Sequence, residues 1–252
     1  MALWPFKPST LLDADTMQWH VDIACWFLRY RGDTLPQSPA RLILPAPGFY
    51  TKNGRGSYLG PKIFQQTKVF AGLADHAFEL AANVSPTDPP TPQDPSVPLI
   101  AYSETLEKRP VQLIAWFARA LARTVVDGIA EAPPCEPDQR VAAADVVASL
   151  LGFGVFLADD AIRDTRQAGV RHSIPAVVRN PDAVLSEIEY VVDLALFLTL
   201  HDLTSEDAAR YLKPHLADRL KPALRDVAPF RDVLLAARAR GTAGPRLIRA
   251  RE

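Results

Sequence analysis

Residues 141–158 read Val-Ala-Ala-Ala-Asp-Val-Val-Ala-Ser-Leu-Leu-Gly-Phe-Gly-Val-Phe-Leu-Ala, and Asp145 and Ser149 are the polar side chains among them. A helix that is apolar on every side is typical of a protein core. A carboxylate in such a helix costs free energy unless a cation pairs with it. The stretch therefore predicts a buried helix in which Asp145 has a positively charged partner.

The partner is expected on the preceding helix, residues 110–127, which carries Arg119 and Arg123 in an apolar context. Residues four apart share one face of a helix, so both guanidinium groups point the same way. We predict a buried, two-pronged ion pair between Arg119 and Asp145. The alternative is that both arginines lie on a solvated helix face and that Asp145 stands at a helix start.

The rest of the chain has a few short strand signals first and helices afterwards, which predicts an α+β fold that is mostly helical with a small N-terminal sheet. The helix that follows residue 180 is expected to begin at Asn180-Pro181-Asp182. Strands are expected at 41–45, 76–80 and 97–103, and helices at 13–31, 60–74, 110–127, 138–160, 181–200, 205–211 and 213–237.

The positions of the 23 prolines indicate where helices and strands end, and they guide the predicted domain organisation. Residues 1–237 are expected to form a single domain with a Pro-rich surface loop at 84–98, because six closely spaced prolines exclude a helix or a central strand there. Residues 238–252 form an arginine-rich C-terminal tail with little to bury, which we expect to be flexible.

Composition excludes several classes of protein. With 48% hydrophobic residues and a net charge of -1, the chain of 252 residues is typical of a globular protein and has no general attraction for nucleic acid or anionic membranes. The apolar run Val146–Ala158 is shorter than the roughly 20 residues that span a bilayer. Cys25 and Cys135 lie far apart and predict neither a disulfide framework nor a thiolate metal site. A soluble, cytoplasmic protein is expected.

Two segments carry a resemblance to a known family. Ala115-Trp-Phe-Ala-Arg-Ala-Leu-Ala-Arg123 resembles the active-site helix of a group of uncharacterised bacterial zincin-like proteins, in which it reads Phe-Ala-His-Glu-Leu-Ala-His. Residues 145–158 are similar to their downstream helix, Thr-Asp-Leu-Leu-Ala-Val-Phe-Leu-Gly-Phe-Gly-Ile-Phe-Leu-Ala. The resemblance extends over much of residues 40–225 and implies a zincin-like fold.

The departure from that motif decides the expected function. Matched position by position, the two histidines that bind zinc and the glutamate that activates water become Arg119, Arg123 and Ala120. A guanidinium repels a metal cation, and alanine accepts no proton. Val141 and Ala142 stand where a third, acidic ligand is often found. The resemblance thus implies a vestigial cleft formed by Arg119, Arg123 and Asp145, with no catalytic residue, no metal and no cofactor.

The resulting hypothesis is a catalytically inactive pseudo-metallopeptidase that acts as a protein-binding or regulatory module. Two alternatives remain open. One is a hydrolase that uses a cleft assembled from residues such as His76, His172 or His201. The other is nucleic-acid contact through the tail at 238–252, helped by a second basic stretch at 163–179.

Other candidate sites are weaker. The loop 52–57, Lys-Asn-Gly-Arg-Gly-Ser, presents glycines as phosphate-binding loops do, but it lacks the Walker spacing. Ser57 and Ser149 lack the Gly-x-Ser-x-Gly pattern of serine hydrolases. Cys135 lies in a proline-rich segment without an evident base. The five histidines show no His-x-His or His-x-x-x-His spacing. We expect none of these to be a site.

Overall fold

The helices Pro110–Asp127 and Pro214–Val227 begin at prolines, at or next to the predicted starts. The computed structural model describes residues 10–31, 42–45, 59–82, 90–164, 177–180 and 182–241. Short 3-10 turns precede α3 and α4 and join α8 to α9. The helices are α1 (Ala14–Arg31), α2 (Leu59–Phe70), α3 (Pro110–Asp127), α4 (Arg140–Ala148), α5 (Gly154–Asp160), α6 (Glu187–Leu200), α7 (Ser205–Ala209), α8 (Pro214–Val227) and α9 (Arg231–Ala239).

Two small sheets accompany the helices over the described ranges. Strands β1 (Glu79–Ala82) and β2 (Leu99–Tyr102) are parallel, with Glu79 opposite Leu99. Residues 90–98 of their connection contain neither helix nor strand. Strands β3 (Ile162–Asp164) and β4 (Val177–Arg179) form an antiparallel pair that the sequence did not predict. The predicted fold class, α+β and mostly helical, is confirmed.

The predicted strand at 41–45 is wrong for the residues that can be described, 42–45, which have no strand structure. Instead of joining a sheet, the Ile43 amide donates a 3.0 Å hydrogen bond to the Gly152 carbonyl. The segment is apolar for another reason, because Ile43 is buried against the helices. An apolar run of this length does not distinguish a strand from an extended segment packed on helices.

The long apolar segment at 137–160 forms a buried helix with a break in it. Residues Pro137–Asp160 are helical over 24 residues and are long and apolar enough to cross a membrane, yet 94% of the most apolar window is buried inside the protein. That burial is typical of the core helix of a soluble fold. Between α4 and α5 the helix widens into a π-turn, Ser149–Phe153, where Gly152 has a φ of 100°. Only glycine adopts this φ without strain, which explains why a glycine stands at position 152.

Helix α6 occupies the centre of the bundle. It packs against α8, α5, α1 and the π-turn, and most of its side chains are fully buried. Its close approach to the preceding helix depends on Gly154, where a Cβ atom would lie 3.1 Å from Leu194 Cδ1. The side chains of α6 therefore point into the interior on nearly every side, and any polar group among them needs an internal partner.

The predicted start of α6 at Asn180-Pro181-Asp182 is wrong. The helix begins after Ser186, whose hydroxyl accepts a hydrogen bond from the Glu189 amide while the Glu189 carboxylate accepts one from the Ser186 amide. This reciprocal capping box satisfies two amides at the helix start. Asn180 has other partners: its backbone N–H donates to the Ala161 carbonyl, and its side-chain Nδ2 donates to Asp160 Oδ2.

Candidate functional site

Arg119 lies midway along α3 and points into the core, where it is 2% exposed. Its Nη1 donates a 2.6 Å hydrogen bond to Asp160 Oδ2, and its Nη2 donates one of 3.4 Å to the Tyr190 hydroxyl. Its Nε lies 3.5 Å from Asp145 Oδ2. The guanidinium is therefore surrounded by two carboxylates and a phenol contributed by α4, α5 and α6.

Asp145 and Arg119 are brought together as expected, but their geometry differs from the prediction. The two-pronged pair is not formed: Asp145 Oδ2 accepts a short hydrogen bond from the Tyr190 hydroxyl, and Arg119 Nε has no hydrogen-bond acceptor among the described residues. The alternative of a solvated helix face also fails for these two residues, because both are buried.

Asp160, at the end of α5, takes the close position next to Arg119. Its Oδ2 also accepts a 2.7 Å hydrogen bond from Asn180 Nδ2. The backbone bond between Asn180 and Ala161 fixes that side chain beside the end of α5. Sequence reasoning missed Asp160 because it follows Asp159 at a helix end, where carboxylates are usually solvated.

Arg123 lies one turn beyond Arg119 on α3 and is half-buried. Its Nε has no hydrogen-bond partner within the described part of the chain. Burial raises the pKa of Asp145, and the positive charge of Arg119, the hydroxyl of Tyr190 and the charge of Arg123 partly offset this increase. Arg123 thus acts on Asp145 through its charge at a distance, while Arg119 makes the contacts.

A second buried cluster was not predicted from the sequence. His20, on α1, is completely buried, and its Nδ1 lies 2.7 Å from Oδ1 of Asp193, which is also completely buried. Its Nε2 lies 3.6 Å from Glu189 Oε1. Burial alone would lower the pKa of His20, but Asp193 and Glu189 raise it to about 9. The imidazole is therefore held as a cation between two carboxylates.

The two clusters share one helix. Glu189 and Asp193 of α6 hold His20, and Tyr190, between them in sequence, contacts Arg119 and Asp145. A sequence signal for the second cluster exists: Asp193 interrupts the apolar run Tyr-Val-Val-Asp-Leu-Ala-Leu-Phe-Leu. A carboxylate within an apolar helix needs a cation as its partner, and this holds for Asp193 as it does for Asp145.

The chemistry available to these groups is limited by their environment. Arg119 is a permanent cation, because although burial lowers its pKa, Tyr190, Asp145 and Asp160 together raise it above its ordinary value. Both nitrogens of His20 face carboxylates, and the ring is closed off from solvent. The arrangement therefore neutralises two buried cations, and it presents no imidazole to a substrate.

A zinc ion, which the family resemblance would imply, does not fit these residues. By the family resemblance, Arg119 and Arg123 stand at the positions of the zinc-binding histidines, and Ala120 stands at the position of the glutamate base. The guanidinium of Arg119 lies beside Asp145 and would repel a zinc ion bound there. Over the described ranges no group of three or more His, Cys, Asp or Glu side chains has a metal-binding arrangement.

The remaining histidines are dispersed. His201 stacks on Phe197 with ring centroids 4.5 Å apart, and burial together with Arg238 lowers its pKa to about 4. The His76 carbonyl accepts a 2.7 Å hydrogen bond from Lys68 Nζ, and His215 pairs with Glu187 on the surface. His172 lies outside the described residues.

Several other predictions concern segments outside the described residues. These are the loop 52–57 with Ser57, residues 84–89 of the Pro-rich loop, the middle of the basic stretch at 163–179, and the tail from 242 onward. Ser149 is buried in the π-turn, and its Oγ has no hydrogen-bond partner in the part of the chain that can be described. Burial raises the pKa of the Cys135 thiol, which opposes its use as a nucleophile.

The comparisons with known proteins give no relative. No protein-family model matches the chain, and no match is found among curated proteins or solved structures. Evidence on the function therefore comes from the geometry of the two buried clusters.

Proposed function

We propose that this protein is a catalytically inactive, zincin-like bacterial protein that acts in the cytoplasm by binding another protein. The observation that supports this proposal is the burial of the Arg119 guanidinium between Asp160 and Asp145. A side-chain cation at this place supplies the positive charge that carboxylates in a metallopeptidase core receive from zinc.

Asp145 and Asp160 are both buried and require a cation, and Arg119 provides one that is covalently attached and cannot exchange. A zinc ion close to this guanidinium would add unfavourable like-charge repulsion. The side chain of Ala120, next in sequence, can neither bind nor deprotonate a water molecule. At the three positions matched to the zincin motif, Arg119, Ala120 and Arg123, no side chain therefore binds zinc or acts as the general base.

The alternative of a hydrolase receives less support. Its natural base would be His20, because the imidazole is oriented by a buried carboxylate as in many hydrolases. However, the second nitrogen of His20 faces Glu189, and the ring is 0% exposed. A general base must reach the proton that it removes from a substrate or nucleophile. The geometry favours a structural role for His20.

The test combines metal analysis with a peptidase assay on the full chain purified without chelators. We expect zinc far below one equivalent and no hydrolysis of casein-derived peptides above buffer. His20→Gln is the matched control, because activity that persists unchanged in this variant does not come from the His20 cluster. Stoichiometric zinc in the wild type, or peptidase activity abolished by a chelator, would overturn the proposal.

A further inference from the structure

A cavity of about 440 Å³ opens where the start of α1, the start of α4 and the segment before α6 meet. We call it the Trp19 pocket. The residues that define its character are Asp15, Trp19, Ala142, Val184, Leu185 and Glu189. The volume lies within the range of small-ligand or side-chain binding pockets, which is about 300–1,000 Å³.

The lining combines an aromatic ring, an apolar floor and negative charge. Trp19 is half-buried, and its Nε1 has no hydrogen-bond acceptor among the described residues. Leu185 and Ala142 supply buried apolar surface. Among the described residues that line the cavity, the charged ones are both acidic, Asp15 and Glu189. An aromatic ring together with carboxylates is a favourable environment for an organic cation.

Glu189 is held in place by the second buried cluster. Its Oε2 accepts a 2.7 Å hydrogen bond from the Ser186 amide, and its Oε1 lies 3.6 Å from His20 Nε2. These contacts keep it ionised at neutral pH. His20, behind it, balances part of this charge, whereas Asp15 is exposed on the first turn of α1 and adds a second negative charge at the mouth.

Two apolar side chains in the lining of the pocket or next to it in sequence are exposed. Val184, which lines it, is 40% exposed, and Val141, next to the lining residue Ala142, is 39% exposed. Exposed apolar side chains that flank a charged, concave site are typical of a contact with another protein.

We propose that the Trp19 pocket binds a lysine or arginine side chain of a protein partner, with its aliphatic stem against Trp19 and Leu185 and its charged end near Asp15 and Glu189. This inference rests on the proposed function and identifies the surface by which the protein would act. Charge complementarity favours this occupant over an acidic one, because the two charged lining residues are acidic and His20 balances only part of the charge of Glu189.

The test uses the indole N–H signals of the full chain in a two-dimensional NMR spectrum. The probes are the peptide acetyl-Gly-Arg-Gly-amide, the same peptide with neutral citrulline in place of arginine, and agmatine as a free guanidinium. We expect saturable movement of the Trp19 signal with the arginine peptide and at least about tenfold weaker binding of the citrulline peptide. The indoles of Trp26 and Trp116 donate to the Glu131 and Ala101 carbonyls and serve as internal controls.

Asp15→Asn should weaken the arginine peptide about three- to tenfold, because it removes one of the two charges at the pocket. Asp218→Asn, at an exposed position on α8, should leave binding unchanged. No movement of the Trp19 signal, or equal binding of the citrulline peptide, would overturn the inference. Agmatine that binds more than about tenfold tighter than the peptide would assign the pocket to a small molecule and overturn the protein partner. The zinc measurement is independent of each outcome.

Discussion

Arg119 donates a 2.6 Å hydrogen bond to Asp160, 41 positions further along the chain, although the carboxylate predicted to pair with it is Asp145. The guanidinium of Arg119 and the carboxylate of Asp160 are both almost fully buried. A pair of this kind stabilises a fold only weakly against an apolar alternative, but the loss of one partner leaves an uncompensated buried charge. The contact therefore makes a strong prediction about single substitutions.

Asp160→Asn should destabilise the protein more than Asp145→Asn. The first change turns the short ion pair with Arg119 into a neutral hydrogen bond at best, and should lower the free energy of unfolding by about 2–4 kcal/mol. The second leaves an amide oxygen that still accepts from Tyr190, and its contact with Arg119 is already 3.5 Å long, so about 1 kcal/mol or less is expected. Urea unfolding of the two variants measures the difference.

Arg123→Gln is the control for this comparison, because Arg123 is half-buried on the same helix and contacts neither carboxylate directly in the described structure. It should change the free energy of unfolding by less than the Asp160 substitution does. Equal losses for Asp145→Asn and Asp160→Asn would mean that Arg119 divides its interaction evenly, contrary to the observed distances.

The burial of Asp145 near Arg119 could be predicted because one carboxylate in an apolar helix requires a cation, and two arginines on one face were available. The choice of Asp160 could not, because it depends on the chain reversal after α5 that brings Asn180 beside it. The same limit applies to the strand pair β3–β4, whose short segments have no distinctive pattern. His20 could not be paired with Asp193 from sequence alone, since 173 positions separate them.

Gly152→Ala should be more destabilising than a glycine substitution at another left-handed position. Gly152 has a φ of 100° inside the π-turn, and its carbonyl accepts from the Ile43 amide, so a shift of its backbone also disturbs a tertiary hydrogen bond. We expect a loss of about 2–4 kcal/mol, from about 1–3 kcal/mol of backbone strain and about 1 kcal/mol from the hydrogen bond.

Gly72→Ala is the matched control, because Gly72 has a φ of 73° and open space around the position of a Cβ atom. It should cost about 1 kcal/mol through backbone strain alone. Thermal and urea unfolding of both variants provide the comparison. A Gly152→Ala variant as stable as Gly72→Ala would show that the π-turn relaxes without cost.

The stability of the protein should decrease as the pH rises from about 6.5 to about 9, because of His20. Burial lowers the pKa of His20, but Asp193 and Glu189 more than compensate and raise it from 6.5 in the unfolded chain to about 9 in the fold. A group whose pKa is raised by folding stabilises the fold fully below its unfolded pKa, and this contribution is lost as the pH passes the folded pKa. We expect about 1–3 kcal/mol less unfolding free energy at the upper end of this range.

Urea unfolding across this pH range measures the loss, and NMR titration of the His20 ring locates the pKa directly. His20→Gln should flatten the dependence of the unfolding free energy on pH, even if the variant is less stable throughout. The NMR titration uses the wild-type protein, so it remains informative even if the His20→Gln variant does not fold. A His20 ring that titrates at or below its unfolded pKa would contradict the prediction, because the carboxylates of Asp193 and Glu189 would then not be holding a proton on the buried imidazole.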